Sequence, residues 1–288
     1  MSGRPVPTEI SDLPYAEDLR PFSMEQLHDD PHEAVHFDGG GFDRVHLTGA
    51  RFIESAFTSA RWSGGSLRRC RFTDVWLHTV RVTGTDIAES VWLDSSIVDS
   101  VFAGAASFDC EVRRVVFSSC KLDGVNFRAS RMDDVVFEDC VLTDVDFGGA
   151  SLSRVSFPGS SLRKVHLARA KLREVDLRGA VDLDLTSGFE SLAGAIVTRG
   201  QLIALAPALA ASTGISVRTN ERPRGPTGPG PHHRRPRARP RFGRARGRGA
   251  VYRAGSAAVP SPLPNTSPTS FRVTSWNSPA RDCPASST

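Results

Sequence analysis

The 288-residue sequence predicts an all-β solenoid: a chain wound in parallel coils around a filled axis and closed by a short C-terminal helical cap. Three observations predict it. A large apolar residue recurs at every fifth position from Phe37 to Leu177, at 28 of 29 steps. The residue two places earlier, from Val35 to Val175, is Val, Ala, Ser, Cys, Gly or Thr at all 29 steps. On both sides of this stretch the composition changes, to an acidic leader before it and a proline- and arginine-rich tail after it. A helix repeats about every 3.6 residues and a strand every two or so, and neither produces a period of five.

Residues 1–34 hold eight acids against two arginines and are expected to form a loose N-terminal arm or cap. Residues 35–179 are the coil. A period of five with one large and one small inward residue fits a chain that turns a corner at every unit. Four sides then close a coil of 20 residues, and coils stack at about the 4.8 Å strand spacing. Twenty-nine units make about seven coils and a rod on the order of 35 Å long. The large residues, among them Phe72, Phe117, Phe127, Phe137, Phe147 and Phe157, fill the axis. Each contributes roughly 1.5 to 3 kcal/mol, which together offsets the entropy of ordering the chain. Ser107 is the one centre that is not apolar, and Phe108 follows it, so a local bulge or slip is expected there. Cys70, Cys110, Cys120 and Cys140 fall in the small column, where cysteine serves as a small hydrophobe. Cys120 and Cys140 stack one coil apart, but parallel inward side chains do not reach disulfide torsion, so free thiols are expected.

Units such as Val125-Asn126-Phe127-Arg128-Ala129 and Val145-Asp146-Phe147-Gly148-Gly149 resemble the pentapeptide-repeat family, whose unit reads Ala-(Asp/Asn)-Leu-x-x. The resemblance covers residues 35–179 and includes the family's actinobacterial members. It implies a right-handed quadrilateral β-helix.

Residues 180–220 are expected to cap the rod and to supply a dimerisation helix. The frame slips at Val181-Asp182-Leu183, and Phe189, Leu192 and Ile196 offer apolar closure. Thr198 and Gln201 have capping-box spacing ahead of the apolar stretch 202–211. Gly214 is a helix stop, and Pro207 is expected to kink or split the helix. The stretch is apolar on more than one face, so Leu202, Ile203, Leu205 and Leu209 are candidates for a homodimer interface, with a monomer carrying an ordinary buried cap as the alternative. The C-terminal helix is similar to that of the topoisomerase-inhibiting quinolone-resistance branch, whose members dimerise there.

From 221 to 288 the chain carries 12 of its 19 prolines, 13 arginines and no lysine, a composition of disorder. Its arginine runs, from Arg234 to Arg241 and from Arg244 to Arg248, suit phosphate contacts without sequence readout. An out-of-frame translation of a GC-rich gene produces the same composition, and third-position GC along the gene distinguishes the two. No apolar run approaches the 18 or so residues of a membrane span, and the N-terminus lacks a secretory layout, so a cytoplasmic protein is expected.

Catalytic motifs are sparse. His32-Glu33-Ala34-Val35-His36 fits H-E-x-x-H, but Val35 and His36 already belong to the first repeat, so the two imidazoles diverge. Ser161 and Lys164 match S-x-x-K around the rod centre Leu162, with no companion motif. No metal, cofactor or catalytic residue is expected.

With the interior assigned, function falls to outward positions. One column two residues after the centres runs Glu54, Asp74, Asp94, Arg114, Asp134, Arg154, Glu174, and neighbouring columns add Asp99, Asp139 and Asp144. The six aspartates are the candidate partner-binding residues. Charge is banded: residues 43–81 carry +4, residues 82–149 carry −8 and residues 150–179 carry +5. The first expectation is a rigid scaffold for an unknown protein partner. The family implies an alternative, mimicry of a DNA duplex toward a type II topoisomerase such as gyrase, for which the acidic mid-band would meet a basic groove. Nucleic-acid binding through the tail is a third. The whole-chain charge of +4 is the sum of −6 in the leader, zero in the coil, −1 in the cap and +11 in the tail.

Overall fold

The structure, a computed structural model, describes residues 6–22, 27 and 31–217. From Pro31 the chain forms a parallel β-solenoid of about eight turns that ends in a single helix, α1 (Arg199–Ser212). Most sides of a turn are three-residue strands with the large apolar residue in the middle, so that this side chain points inward and its neighbours outward. Arg71–Thr73, Val116–Ser118 and Val136–Glu138, centred on Phe72, Phe117 and Phe137, follow this rule. Phe72 pairs with Phe52 below and Trp92 above, each 20 residues away, which gives four sides per turn.

Three of the four faces are parallel sheets of seven, eight and eight strands. The fourth face begins as the strands His46–Thr48 and Ser66–Arg68 and continues as single bridges from Ser66 through Asp86, Ala106, Asn126 and Asp146 to His166. At the corners, the second residue after every centre from Phe37 to Leu172 adopts a left-handed backbone; Asp74, Asp94 and Asp134 have φ of +52°, +54° and +55°. That conformation costs most residues about 1 to 2 kcal/mol and is easiest for Gly, Asn and Asp. Each such corner is held by the next coil: the Asp74, Asp94 and Asp134 N–H groups donate to the carbonyls of Leu93, Arg113 and Ser153 at 3.0, 3.1 and 3.1 Å.

All the expected centres are buried except Leu172, which is half-buried near the C-terminal end. Aromatic rings stack coil on coil, with centroids 3.9 Å apart for Phe72–Trp92, 4.8 Å for Phe117–Phe137, 5.1 Å for Phe137–Phe157 and 5.5 Å for Phe127–Phe147. Serines of the small column tie coils together. Ser130 Oγ, for example, donates to the Ser107 carbonyl at 2.9 Å and accepts from the Cys110 N–H at 3.0 Å.

Several expectations are corrected. Parallel pairing begins well before 35: Arg20–Pro21 pairs with Val35–His36, Pro31–Glu33 pairs with Arg51–Ile53, and the buried His32 ring occupies a centre, stacked 5.1 Å below Phe52. The segment before it is not loose. Phe22 lies over Phe37 at 4.0 Å, and the buried Leu13 and Tyr15 pack on the outward side chains Ala56, Trp76 and Val98. The Trp76 indole N–H also donates to the Pro7 carbonyl at 3.1 Å. Ser107 makes no bulge. Ala106 bridges Asp86 and Asn126 at the regular offset, and Ser107 is buried at its centre beside a small cavity of about 20 Å³ lined by Ile87, Trp92, Phe102 and Phe127. At the other end, pairing continues past 179. Asp182–Ser187 pairs with Ser161–His166 at an offset enlarged by one residue, leaving Val181 exposed, and Ala195–Ile196 pairs with Val175–Asp176. The turn into this last side requires Gly188, at φ +89°, because a Cβ there would lie 2.2 Å from the Leu167 backbone.

The cap forms at the expected residues. Thr198 Oγ1 accepts from the Gln201 N–H at 3.1 Å while Gln201 Oε1 accepts from the Thr198 N–H at 2.8 Å. Gly214 stops the helix at φ +77°, and the Gly214 and Ile215 N–H groups donate to Ala211 and Ala210. Contrary to expectation, α1 is not split: it runs unbroken through Pro207. Phe189 and Leu192 close the core, whereas Ile196 is exposed. The expected tail, 221–288, with its arginine runs lies outside the described residues.

Candidate functional site

The six candidate aspartates all sit at corners with left-handed φ between +48° and +55°. Their type therefore has a backbone reason before any functional one, because aspartate tolerates that region better than other non-glycine residues. The structure then divides them by partner.

Asp94 and Asp134 are neutralised along their column. Arg114 Nε and Nη2 donate to the two Asp94 oxygens at 2.6 and 2.8 Å. Arg154 does the same to Asp134 at 2.6 and 3.0 Å and also reaches Asp133 at 2.6 Å. The fork geometry suits a carboxylate, and the Arg154 guanidinium holds the Asp134 carboxyl below the usual carboxylate range. Asp74 adds to the field around Arg114. The acidic mid-band is thus compensated on this column by two arginines whose role the sequence reading did not single out. Their signal was present: Arg114 and Arg154 each follow an aspartate by 20 residues in a 20-residue coil.

The other corners differ. Asp99 and Asp144 project further, with side chains 52% and 64% exposed against 27% for Asp94. Their neighbours are histidines, His78 Nε2 at 3.6 Å from Asp99 and His166 Nε2 at 3.2 Å from Asp144. A histidine compensates a carboxylate only when protonated, whereas the arginines beside Asp94 and Asp134 are always charged. His166 also touches Ser187 Oγ through Nδ1 at 3.2 Å, which strings Asp144, His166 and Ser187 across three coils. Asp139 fills the space beside Gly159, where a Cβ would lie 2.0 Å from its Oδ1.

The candidate dimer residues also separate. Leu205 is buried and Leu209 is half-buried against the chain's own core, so both contribute to the cap. Leu202 and Ile203 are 50% and 65% exposed. Ile215 and Val217 beyond the helix are exposed as well, which extends the uncovered apolar surface at this end.

The cysteines of the small column are buried free thiols. Cys120 and Cys140 Sγ donate inward, to the Ile97 and Phe117 carbonyls at 3.3 and 3.4 Å. Burial pushes the Cys110 thiol up to about 12, far from the thiolate a nucleophile needs. In the H-E-x-x-H stretch, His32 is inside the rod while His36 Nε2 meets Thr58 Oγ1 at 2.9 Å on a neighbouring face. Among the described residues no group of three or more His, Cys, Asp or Glu is placed to hold a metal, and no helix is long and apolar enough to cross a membrane.

No curated protein matches the chain. Among solved structures it is similar to HetL, a pentapeptide repeat protein involved in heterocyst differentiation regulation from the cyanobacterium Nostoc sp. strain PCC 7120, at 17% identity over 61% of this chain and 92% of that one, with a TM-score of 0.35. It is also similar to trypsin-treated QnrB1, a plasmid-mediated fluoroquinolone resistance protein, at 19% identity over 65% of this chain and 100% of that one, with a TM-score of 0.25. Residues 110–184 match the family described as the pentapeptide repeat region, and the same 20-residue register continues on the N-terminal side of that match.

Proposed function

We propose that this chain is a non-enzymatic, cytoplasmic scaffold whose rigid solenoid presents fixed columns of side chains to a protein partner. The observation that carries the reading is the ladder itself. Each coil hydrogen-bonds to the next through strands and corners alike, so outward residues stand at about 4.8 Å intervals with little freedom to lose on binding. The corners Asp99 and Asp144 are the part of this surface most suited to a basic partner, since both are exposed and, among the described residues, neither pairs with an arginine. The exposed Leu202 and Ile203 suit self-association into a homodimer at the capped end.

Affinity capture with the full chain and with Asp99→Asn/Asp144→Asn tests the reading. Asparagine keeps the corner conformation and removes only the charge. A partner held by the wild type and lost by the variant, at unchanged circular dichroism, is the expected outcome. An identical captured set removes the corner acids from the interface.

A second reading is modulation of a type II topoisomerase by resemblance to DNA. The −8 charge of residues 82–149 favours it, and the arginines on Asp94 and Asp134 weigh against it. Supercoiling by purified gyrase, with the full chain in micromolar excess, tests it. Inhibition relieved by the same double variant is expected on this reading, and unchanged supercoiling sinks it.

A further inference from the structure

One outer face of the rod carries the opposite charge. Its strands Glu111–Arg113, Arg131–Asp133, Ser151–Ser153 and Lys171–Arg173 are consecutive neighbours, and their outward side chains line an open cleft of about 420 Å³. The cleft exists because of a change in side-chain length. Ser151 and Ser153 form a short rung between the long Arg131 on one side and Lys171 and Arg173 on the other. Two coil spacings separate the flanking rungs, roughly 10 Å, which leaves room for an anionic group to be reached from both sides.

The cations are poorly compensated. Asp133 is committed to Arg154 at 2.6 Å, and Glu111 faces Arg113 at 3.8 Å. Arg131 and Lys171 make no side-chain hydrogen bond or ion pair with any described residue. Among the described residues Arg173 meets no acid and reaches the Ser153 hydroxyl, through Nε at 3.2 Å and Nη2 at 3.0 Å. Arg154 Nη1 also donates to that hydroxyl at 3.3 Å. A serine oxygen has two acceptor sites and one proton to give, so guanidinium donors on both sides leave the Ser153 proton to be donated. A hydroxyl donor set among three uncompensated cations is a receptor for oxyanions.

We propose that this cleft binds a small soluble polyphosphate, a molecule of the pyrophosphate or nucleoside diphosphate class. Arg131 and Arg173 bring guanidinium donors, Lys171 a point charge, and Ser151 and Ser153 hydroxyl donors from the floor. The size decides against a nucleic acid backbone. The basic stretch spans three coil steps, about 14 Å, and toward the N-terminus the same face turns apolar at Val91 and Leu93 before Arg71 and Arg51. A strand of nucleic acid needs a longer unbroken track.

Calorimetric titration of the full chain with sodium pyrophosphate, at ionic strength held constant with sodium chloride, tests the proposal. Arg131→Gln/Lys171→Gln should weaken the tightest site at least tenfold. Arg51→Gln/Arg71→Gln removes the same charge from the same face outside the cleft and should leave that site within twofold, so the tail contributes equally to every arm. All four side chains are exposed, and unchanged circular dichroism is the check on folding. Equal weakening by both double variants, or no saturable site in the wild type, overturns the proposal. A short DNA duplex that competes with pyrophosphate for the wild type but not for the cleft variant would reassign the cleft to nucleic acid and overturn the small-molecule assignment.

Discussion

The coils around Phe137 and the C-terminal end of the rod are built from the same five-residue unit, yet they differ in what each residue touches. Phe137 has Phe117 below it at 4.8 Å and Phe157 above at 5.1 Å, and is fully buried. Leu172, at the same position in its unit, is half-buried, and past it the register gains a residue at Val181. A centre in mid-rod has a neighbour on each side supplied by the repeat. A centre at the end must be covered by something the repeat does not specify, here Phe189, Leu192, Leu205 and Leu209. The middle is therefore redundant in information and demanding in packing, and the end is the reverse.

The largest effect that would sharpen this contrast is the loss of a mid-rod ring. Phe137→Ala should cost about 3 to 5 kcal/mol, against about 1 to 2 kcal/mol for Leu172→Ala, read from urea midpoints. Equal costs would break the comparison. Next is the cap. Leu205→Ala should cost about 2 kcal/mol, while Ile203→Lys should stay within about 0.5 kcal/mol and reduce any self-association measured by sedimentation. If Ile203→Lys destabilised the monomer as Leu205→Ala does, the assignment of the two helix faces would be wrong.

A smaller change lies inside the middle. Ser107→Val should raise stability by about 1 kcal/mol, since it places methyl groups beside a cavity of about 20 Å³ lined by apolar side chains. A loss of stability would mean that the site is already full. The smallest effect is on the outer column. Arg154 lowers the folded-state pKa of Asp134, so that pair stabilises the fold above the ordinary aspartate range, and the contribution is lost as pH falls through the lowered value. Arg154→Gln should therefore lower the urea midpoint slightly at pH 7, with the difference from wild type shrinking as pH falls below the ordinary aspartate range. A difference that persists at low pH would point to lost alkyl packing in place of lost charge.

Much of this was legible in the residues. The two columns of period five dictate the inward side chains of every coil, and the three-residue spacing of Thr198 and Gln201 marks the first turn of the helix. Two arginines 20 residues beyond aspartates already contained the ladder pairs, but only once the coil length was used to fold the outer surface as well as the core. Other features were not legible for a physical reason. Ser107 reads as an interruption because a polar residue breaks the apolar column, whereas in three dimensions the coils above and below hold its backbone in register through the Asp86, Ala106 and Asn126 bridges. The leader reads as solvated because acids dominate it, whereas a few apolar residues, Leu13 and Tyr15, find the outward Trp76.

By itself the sequence determined the solenoid, its inward columns, the buried free cysteines and the capped helix, because a short period places each of these in contact with residues at a known offset. Only the tertiary structure decided which corner acids are neutralised, which face of α1 is covered, where the pairing starts and stops, and where two serines between arginines open a cleft. Those depend on contacts between side chains on different coils and at the ends, where the offset changes or the partner lies outside the repeat.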